Sequence, residues 1–177
     1  MDDFSQIYQQ FHPRVLRYLS GVLGAQEAED VVQGVMLSIA HALPGFRGDS
    51  SLSTWIYRIA TNAARDHLRR QRSLPGMTEH HELCSEVDLS HAHIRDEMGA
   101  CIRSLIDQLP QSYRMVLLLS DYEECSNPEI AAILDLSLDT VKIRLHRARA
   151  RLRQLMECEC ELYHHGETGL MCDRRQK

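Results

Sequence analysis

The sequence predicts an all-α protein: two small helical domains joined by an acidic flexible linker and followed by a short Cys-rich tail. Three observations predict it. Apolar residues recur every three or four positions over 4–72 and again from 98 onward, the spacing of one helix face. Between these stretches the periodicity fails in a polar segment. The composition agrees, since 177 residues with 6% aromatics, 9 Gly and 5 Pro suit helices better than a sandwich of short strands. At 44% hydrophobic and 25% charged, the chain has the makeup of a folded protein. No apolar run approaches the roughly 20 residues that cross a bilayer. Met1-Asp2-Asp3-Phe4 is acidic where a signal peptide is basic. These points argue against export and membrane insertion and predict a cytoplasmic protein whose cysteines are reduced.

The first helix is marked by Phe4, Ile7, Tyr8, Phe11, Val15, Tyr18, Leu19 and Val22, read as one inward face. A second runs from Gln26 to Leu43 with Val31, Val32, Val35, Met36 and Ile39 inward, and Pro44-Gly45 ends it. Phe46 to Ser53 reads as a polar loop. Thr54 is placed to cap a third helix striped by Trp55, Ile56, Ile59, Ala60, Ala63 and Leu68. These elements make a domain over 4–72. The linker, 73–97, holds Pro75, Gly76, His80, His81, His91 and His93, and its acids far outnumber its one base, Arg95. Its histidines read as solvated.

The second domain, 98–157, opens with Met98, Cys101, Ile102, Leu105, Ile106 and Leu109 on one stripe, where Cys101 reads as core, and Pro110 stops it. An apolar helix includes Val116 to Leu119. A short helix starts near Asn127-Pro128-Glu129, where proline suits the first turn. A long one runs from Thr140 past Leu155. Residues 128–153 have the grammar of a helix-turn-helix: Ala131 is small where two helices cross, and Asp135 stands where positive φ is wanted. On the second of these helices Val141, Leu145, Ala148 and Leu152 form the apolar stripe. Lys142, Arg144, Arg147, Arg149, Arg151 and Arg153 are left outward, with no acid among them. A merely soluble helix mixes signs; this one is built to lie against DNA phosphates. The formal net charge of −5 does not contradict this, because the acids gather in the linker and in Asp121, Glu123, Glu124, Glu129, Asp135 and Asp139.

Two separated signatures resemble one family. The first is Ala28-Glu29-Asp30-Val31-Val32-Gln33, followed by Phe46-Arg47-Gly48-Asp49-Ser50 and Thr54-Trp55-Ile56-Tyr57-Arg58-Ile59-Ala60-Thr61-Asn62. The second is Glu129-Ile130-Ala131 with Thr140-Val141-Lys142-Ile143-Arg144-Leu145-His146-Arg147-Ala148-Arg149. In this order and with a linker between them, they resemble an extracytoplasmic-function (ECF, group 4) sigma factor of the sigma-70 family. The resemblance implies a non-enzymatic subunit of bacterial RNA polymerase, with a sigma2 domain over 4–72 and a sigma4 domain over 98–157. It implies that Asp30 and Gln33 meet the polymerase core. The loop residues Phe46, Arg47, Gly48, Asp49, Ser50 and Ser51, with Asn62 and Arg65, would take a flipped base and adjoining DNA at the −10 promoter element. Lys142, Ile143, Arg144, His146 and Arg147 would read the −35 element, with Arg149 and Arg151 on phosphates or in solvent. Trp55 fits either the core or a stacking role. Asp139 and Ile143 depart from the family's usual glycine and small polar residue, and both bear on which −35 sequence is read.

The tail, 158–177, carries Cys158, Cys160, His164, His165 and Cys172. Helix positions i and i+2 point about 200° apart, so Cys158 and Cys160 share an ion only if the helix stops near Glu157. Three thiols beside histidines form a soft-ligand set suited to Cu(I), Zn(II) or Cd(II). The tail resembles the metal-sensing, cysteine-rich C-terminus of CorE-like ECF sigma factors. That resemblance implies metal control of activity and a ligand from the linker, here Cys84; Cys125 is a weaker candidate. Two other readings compete. One is the same sigma activity held by an anti-sigma partner, with a structural or disordered tail. The other is a stand-alone helix-turn-helix regulator, which would have no use for the signature from Ala28 to Asn62.

Overall fold

The computed structural model describes residues 4–72, 101–165 and 169–174, with side chains over 4–71 and 101–161. The expected linker, with Cys84 and its histidines, lies outside the described residues. Helix α1 spans Phe4–Leu23 and α2 Ala25–Ala42, joined at Gly24, whose φ of 98° makes the tight reversal available. A 3-10 turn, Leu43–Gly45, follows, and α3 covers Leu52–Arg72. Ile7, Phe11, Val15, Val32, Val35, Ile39, Ile56 and Ala60 interlock between the three helices, each almost fully buried. A hydroxyl pair inside is satisfied: Tyr18 Oη and Thr61 Oγ1 lie 2.9 Å apart.

Two expectations are corrected here. Tyr8, placed inward by periodicity, is 42% exposed and stacks on His12 with ring centroids 4.8 Å apart. It sits at the rim of the stripe, and its ring finds a local partner one turn on. Thr54 does not cap α3. The helix begins two residues earlier, and Ser51 Oγ accepts from the Thr54 amide at 3.1 Å while Thr54 itself is buried.

The second half contains α4 over 101–107, α5 at Gln111–Leu117, α6 at Asn127–Leu134 and α7 at Leu138–Glu159. A wide π turn, Leu118–Tyr122, continues α5, and Glu124 then takes a left-handed φ of 56° to turn the chain toward α6. Helix α6 opens on a capping box, in which Glu129 Oε2 accepts from the Ser126 amide at 2.9 Å and from Ser126 Oγ at 2.7 Å. Asp135 occupies the left-handed region at φ 54°, as its place between α6 and α7 predicts. Helix α7 starts two residues before Thr140, capped by Ser137 Oγ, which accepts from the Thr140 amide at 3.2 Å.

Helix α7 ends at Glu159, two residues into the tail. Strands β1, Cys160–His165, and β2, Gly169–Arg174, form an antiparallel hairpin in which Cys160 faces Arg174 and Leu162 faces Cys172. The all-α expectation therefore holds for both domains, and the tail adds a short hairpin after them.

The two halves share a single continuous core, which the sequence did not suggest. Helix α3 packs on α6, and α1 on α5 and the π turn. At the centre of the seam is Glu123, its side chain fully buried although it belongs to an acid-rich stretch. Its carboxylate accepts from Arg14 Nε at 3.1 Å, from Arg17 at 3.0 and 2.7 Å, and from the Tyr57 hydroxyl. A carboxylate leaves water at a cost of several kcal/mol unless it is paired and hydrogen-bonded. All four partner bonds come from α1 and α3, so Glu123 is satisfied only while the halves remain together. Leu118 reinforces the seam by lying over the bare Cα of Gly21, where a Cβ would meet its Cδ1 at 2.7 Å.

Candidate nucleic-acid interface

Helix α7 is fixed by Val141, Leu145 and Ala148, all buried, against α5 and α6. This leaves Lys142, Ile143, His146 and Arg147 exposed and Arg144 half-buried. Ile143, 51% exposed, is an apolar group presented to solvent on a cationic face, a placement that suits contact with a base methyl. A shallow concavity of about 310 Å³ is bordered by Asn127, Lys142, His146, Arg149 and Arg153. Arg149 is not a bare phosphate ligand: it donates to Asp121 at 2.5 Å and to Ser120 at 3.0 Å, and the Asp121 bond holds its guanidinium more firmly protonated. In the free chain Arg149 forms an ion pair between α7 and the π turn, with its side chain still half-exposed.

The loop between the 3-10 turn and α3 places Phe46 and Trp55 5.1 Å apart with ring planes 41° from parallel. Trp55 is half-buried, so it is neither a sealed core residue nor a free stacking platform. Gly48 takes φ 76°, and Arg47 and Asp49 pair at 4.0 Å with both side chains in solvent, a weak contact. Ser50 is half-buried, Ser51 exposed, and Asn62 exposed one helix turn past Arg58. Two of the predicted −10 residues are engaged from the other half of the chain. Ser51 Oγ lies 3.4 Å from Glu129, and Arg65 donates to the Leu134 carbonyl at 2.9 Å, satisfying an orphan acceptor at the end of α6. The loop and the helix-turn-helix thus meet at a seam.

Asp30 and Gln33 are both exposed on α2. Leu37, one turn further along the same face, is 62% exposed and was missed by the sequence reading. An apolar residue off the inward stripe was its available signal. Glu123 was missed as well; an isolated glutamate among acids carries no mark of burial.

The tail candidates separate. Cys158 is exposed on the last turn of α7, while Cys160, at the first position of β1, is 2% exposed, so the two are not brought together. Instead Cys160 Sγ lies 3.9 Å from Cys101 Sγ. Cys101 is half-exposed rather than core, which corrects its placement on the apolar stripe. At Cys125, burial, with Glu129 and Glu123 nearby, pushes the thiol up to about 11 and keeps it protonated. His164 and Cys172 share with Cys160 one face of the hairpin by register, and His165 falls on the other. Among the described residues no group of three metal-binding side chains forms, and no helix is long and apolar enough to cross a membrane.

Comparison with known proteins agrees with the arrangement of helices. Residues 7–74 match sigma-70 region 2 and residues 99–152 match sigma-70 region 4. The RNA polymerase sigma-H factor of Pseudomonas aeruginosa is 33% identical over 162 residues, covering 81% of this chain and 84% of that protein. The ECF RNA polymerase sigma-E factor of Escherichia coli K12 is 30% identical, covering 82% of each. The fold resembles that of a Bartonella quintana sigma factor, RpoE, solved with the anti-sigma factor NepR (TM-score 0.74, 21% identity, 89% of this chain and 98% of that one). It also resembles CnrH, solved with the cytosolic domain of CnrY (TM-score 0.65, 28% identity, 88% of each). With both conserved regions present in order, and relatives of this identity matched over most of their length, the chain belongs to the sigma-70 family as an ECF RNA polymerase sigma factor.

Proposed function

We propose that this sigma factor directs promoter-specific initiation through two separated surfaces and that a soft metal ion at its tail gates the activity. The observation that carries the promoter role is the exposed row Lys142, Ile143, His146 and Arg147 on a helix locked from behind by Val141, Leu145 and Ala148. Such a helix enters a major groove, cations fixing it on phosphates and the remaining side chains reading bases at the −35 element. The loop from Phe46 to Ser51, with Asn62 and Arg65, takes the −10 element, where extruding a base costs a few kcal/mol and needs a pocket already formed. Asp30, Gln33 and Leu37 make the face for the polymerase core, two polar groups flanking an apolar anchor.

The closed seam adds a requirement. Ser51 and Arg65 cannot serve DNA while they hold Glu129 and Leu134, so engagement of a promoter requires α6 to leave α3. The metal reading is supported by donor type and not by proximity: Cys158, Cys160, Cys172, His164, His165 and the linker's Cys84 are donors suited to Cu, Zn or Cd, while Cys158 and Cys160 are held apart. A second reading is favoured by a cleft of about 920 Å³ between α1, α2 and α4, lined by Leu16, Gly21, Ile106 and Leu118, with room for a helix of an anti-sigma partner.

Run-off transcription from the gene's own upstream DNA, with purified protein and core polymerase, tests both. Metal-free protein is titrated with Cu, Zn and Cd. A transcript that rises or falls with one metal establishes gating; no transcript with any metal, from a chain that binds core, overturns the promoter assignment.

A further inference from the structure

Helix α7 carries a side chain whose chemistry differs from that of its neighbours on the outward face. Ile143 is the sixth residue of the helix and is 51% exposed. At helical spacing it stands about 200° from both Val141 and Leu145, which are buried. It therefore points straight away from the core that fixes the helix. One turn away along the same face lie Asp139, His146 and Arg147, each exposed. The branched Cβ of isoleucine allows essentially one χ1 rotamer in a helix, so its methyl groups are aimed before any partner arrives.

Core packing does not account for this side chain, and solubility does not ask for it. Nor does it belong to an apolar patch of the kind that receives another protein, since its face neighbours are an acid, a histidine and an arginine. The major groove offers it one match. Bases present donors and acceptors there, and the C5 methyl of thymine is the only apolar group among them. Cytosine in the same place turns its N4 amino group toward the isoleucine, where it loses water and finds no acceptor. The first turns of a groove-entering helix are the part that reaches base edges, and Ile143 lies within them.

We propose that Ile143 is a specificity-determining residue that reads the methyl group of a thymine in the −35 element, and that it accepts 5-methylcytosine in place of thymine. The inference rests on the groove-reading role given to α7 above and adds the base that one of its residues selects. Lys142 and Arg147 hold the helix on phosphates in any sequence, whereas Ile143 responds to a single carbon of the DNA.

The test alters the DNA, so the fold of the protein does not enter. Holoenzyme assembled from the full chain and core polymerase selects a tight-binding duplex from a random-sequence library. Each thymine across its −35 footprint, on both strands, is then replaced in turn by deoxyuridine, which lacks only the C5 methyl. At one position the exchange is expected to weaken binding about fourfold, as loss of one buried methyl group does. With Ile143→Ser, a swap at an exposed position, thymine and deoxyuridine there are expected to bind alike. Cytosine paired with guanine at that position should weaken binding as well. Its 5-methyl derivative should recover about fourfold in wild type and nothing in Ile143→Ser. A selected element without thymine, or deoxyuridine tolerated at every position, overturns the proposal. So does a discrimination that survives in Ile143→Ser, since another group then reads the methyl. Lys142→Ala with Arg147→Ala keeps the groove role separate. If that pair weakens binding and lowers its salt dependence while every deoxyuridine is neutral, the groove role stands and the thymine reading falls. If the pair changes nothing, the groove role falls and takes the reading with it.

Discussion

Glu123 shows how much a single side chain can hold. Its carboxylate bonds join α1 and α3 to the turn before α6, spanning 66 to 109 residues of sequence. Tyr57 is held protonated, chiefly by burial and then by Glu123, so its hydroxyl donates throughout the physiological pH range. Glu123→Gln keeps the volume and removes the charge. Because Arg14 and Arg17 are one-third to one-half exposed and recover water, the expected cost is about 1–3 kcal/mol rather than the larger loss of a sealed pair. Small-angle scattering should show the variant extended where wild type is compact; an unchanged radius of gyration would mean that Glu123 does not hold the seam. At the capping box, hydrogen bonds from the Ser126 side chain and backbone keep the Glu129 carboxyl below the usual range. A folded pKa below the unfolded one means that its stabilisation is full above the ordinary carboxylate range and lost as pH falls through the folded value. Ser126→Ala should therefore cost about 1 kcal/mol near neutrality, and less in acid where Glu129 is protonated, which denaturant melts at the two pH values would measure.

At the scale of elements, the turn between α6 and α7 makes a sharp prediction. Asp135 holds a left-handed conformation that costs a non-glycine residue free energy. Asp135→Gly should raise stability by about 0.5–1 kcal/mol in thermal melts, and Asp135→Val should lower it. This turn was legible in the sequence, as were the helices and the buried stripe of α7. They depend on contacts within one or two turns, which periodicity and capping chemistry encode locally. Ser51 displaced Thr54 as the cap because both are competent and the buried environment of Thr54, a tertiary fact, decided between them. The hairpin was illegible for a similar reason. Cys160 to His165 is short, follows a helix without a break, and becomes a strand only by pairing with Gly169–Arg174. Nor could Cys101 be separated from the apolar stripe it shares, since a thiol and a methyl group serve equally well there until a partner sulfur is found.

For the whole molecule, closure occupies Ser51 and Arg65, two of the groups proposed to engage the promoter. Gly21 offers a way to separate them. Gly21→Leu should leave α1 helical and press Leu118 and the second domain away, and a donor–acceptor pair of dyes on α2 and α7 should report the increased distance. Unchanged energy transfer would show that Leu118 yields without opening the seam. The opened variant, with Ser51 and Arg65 released, is expected to bind a single-stranded −10 DNA fragment more tightly than wild type, and adding Arg65→Ala should remove that gain and flatten its salt dependence.

The 22 residues of α7 run without glycine or proline from the Ser137 cap to the first residue of the hairpin, about 33 Å end to end. The surface that reads DNA and the root of the tail are consequently two ends of one shaft. A continuous helix of this length would carry a restraint on the hairpin to Lys142 and Arg147 as a tilt. A flexible joint cut into the shaft at Arg153 and Gln154, both exposed, by two glycines would cost about 2 kcal/mol of helix and let each end move alone. In such a jointed chain, a restraint placed on the hairpin is expected to leave DNA affinity at the Lys142 and Arg147 end unchanged, where the unbroken helix would pass it on.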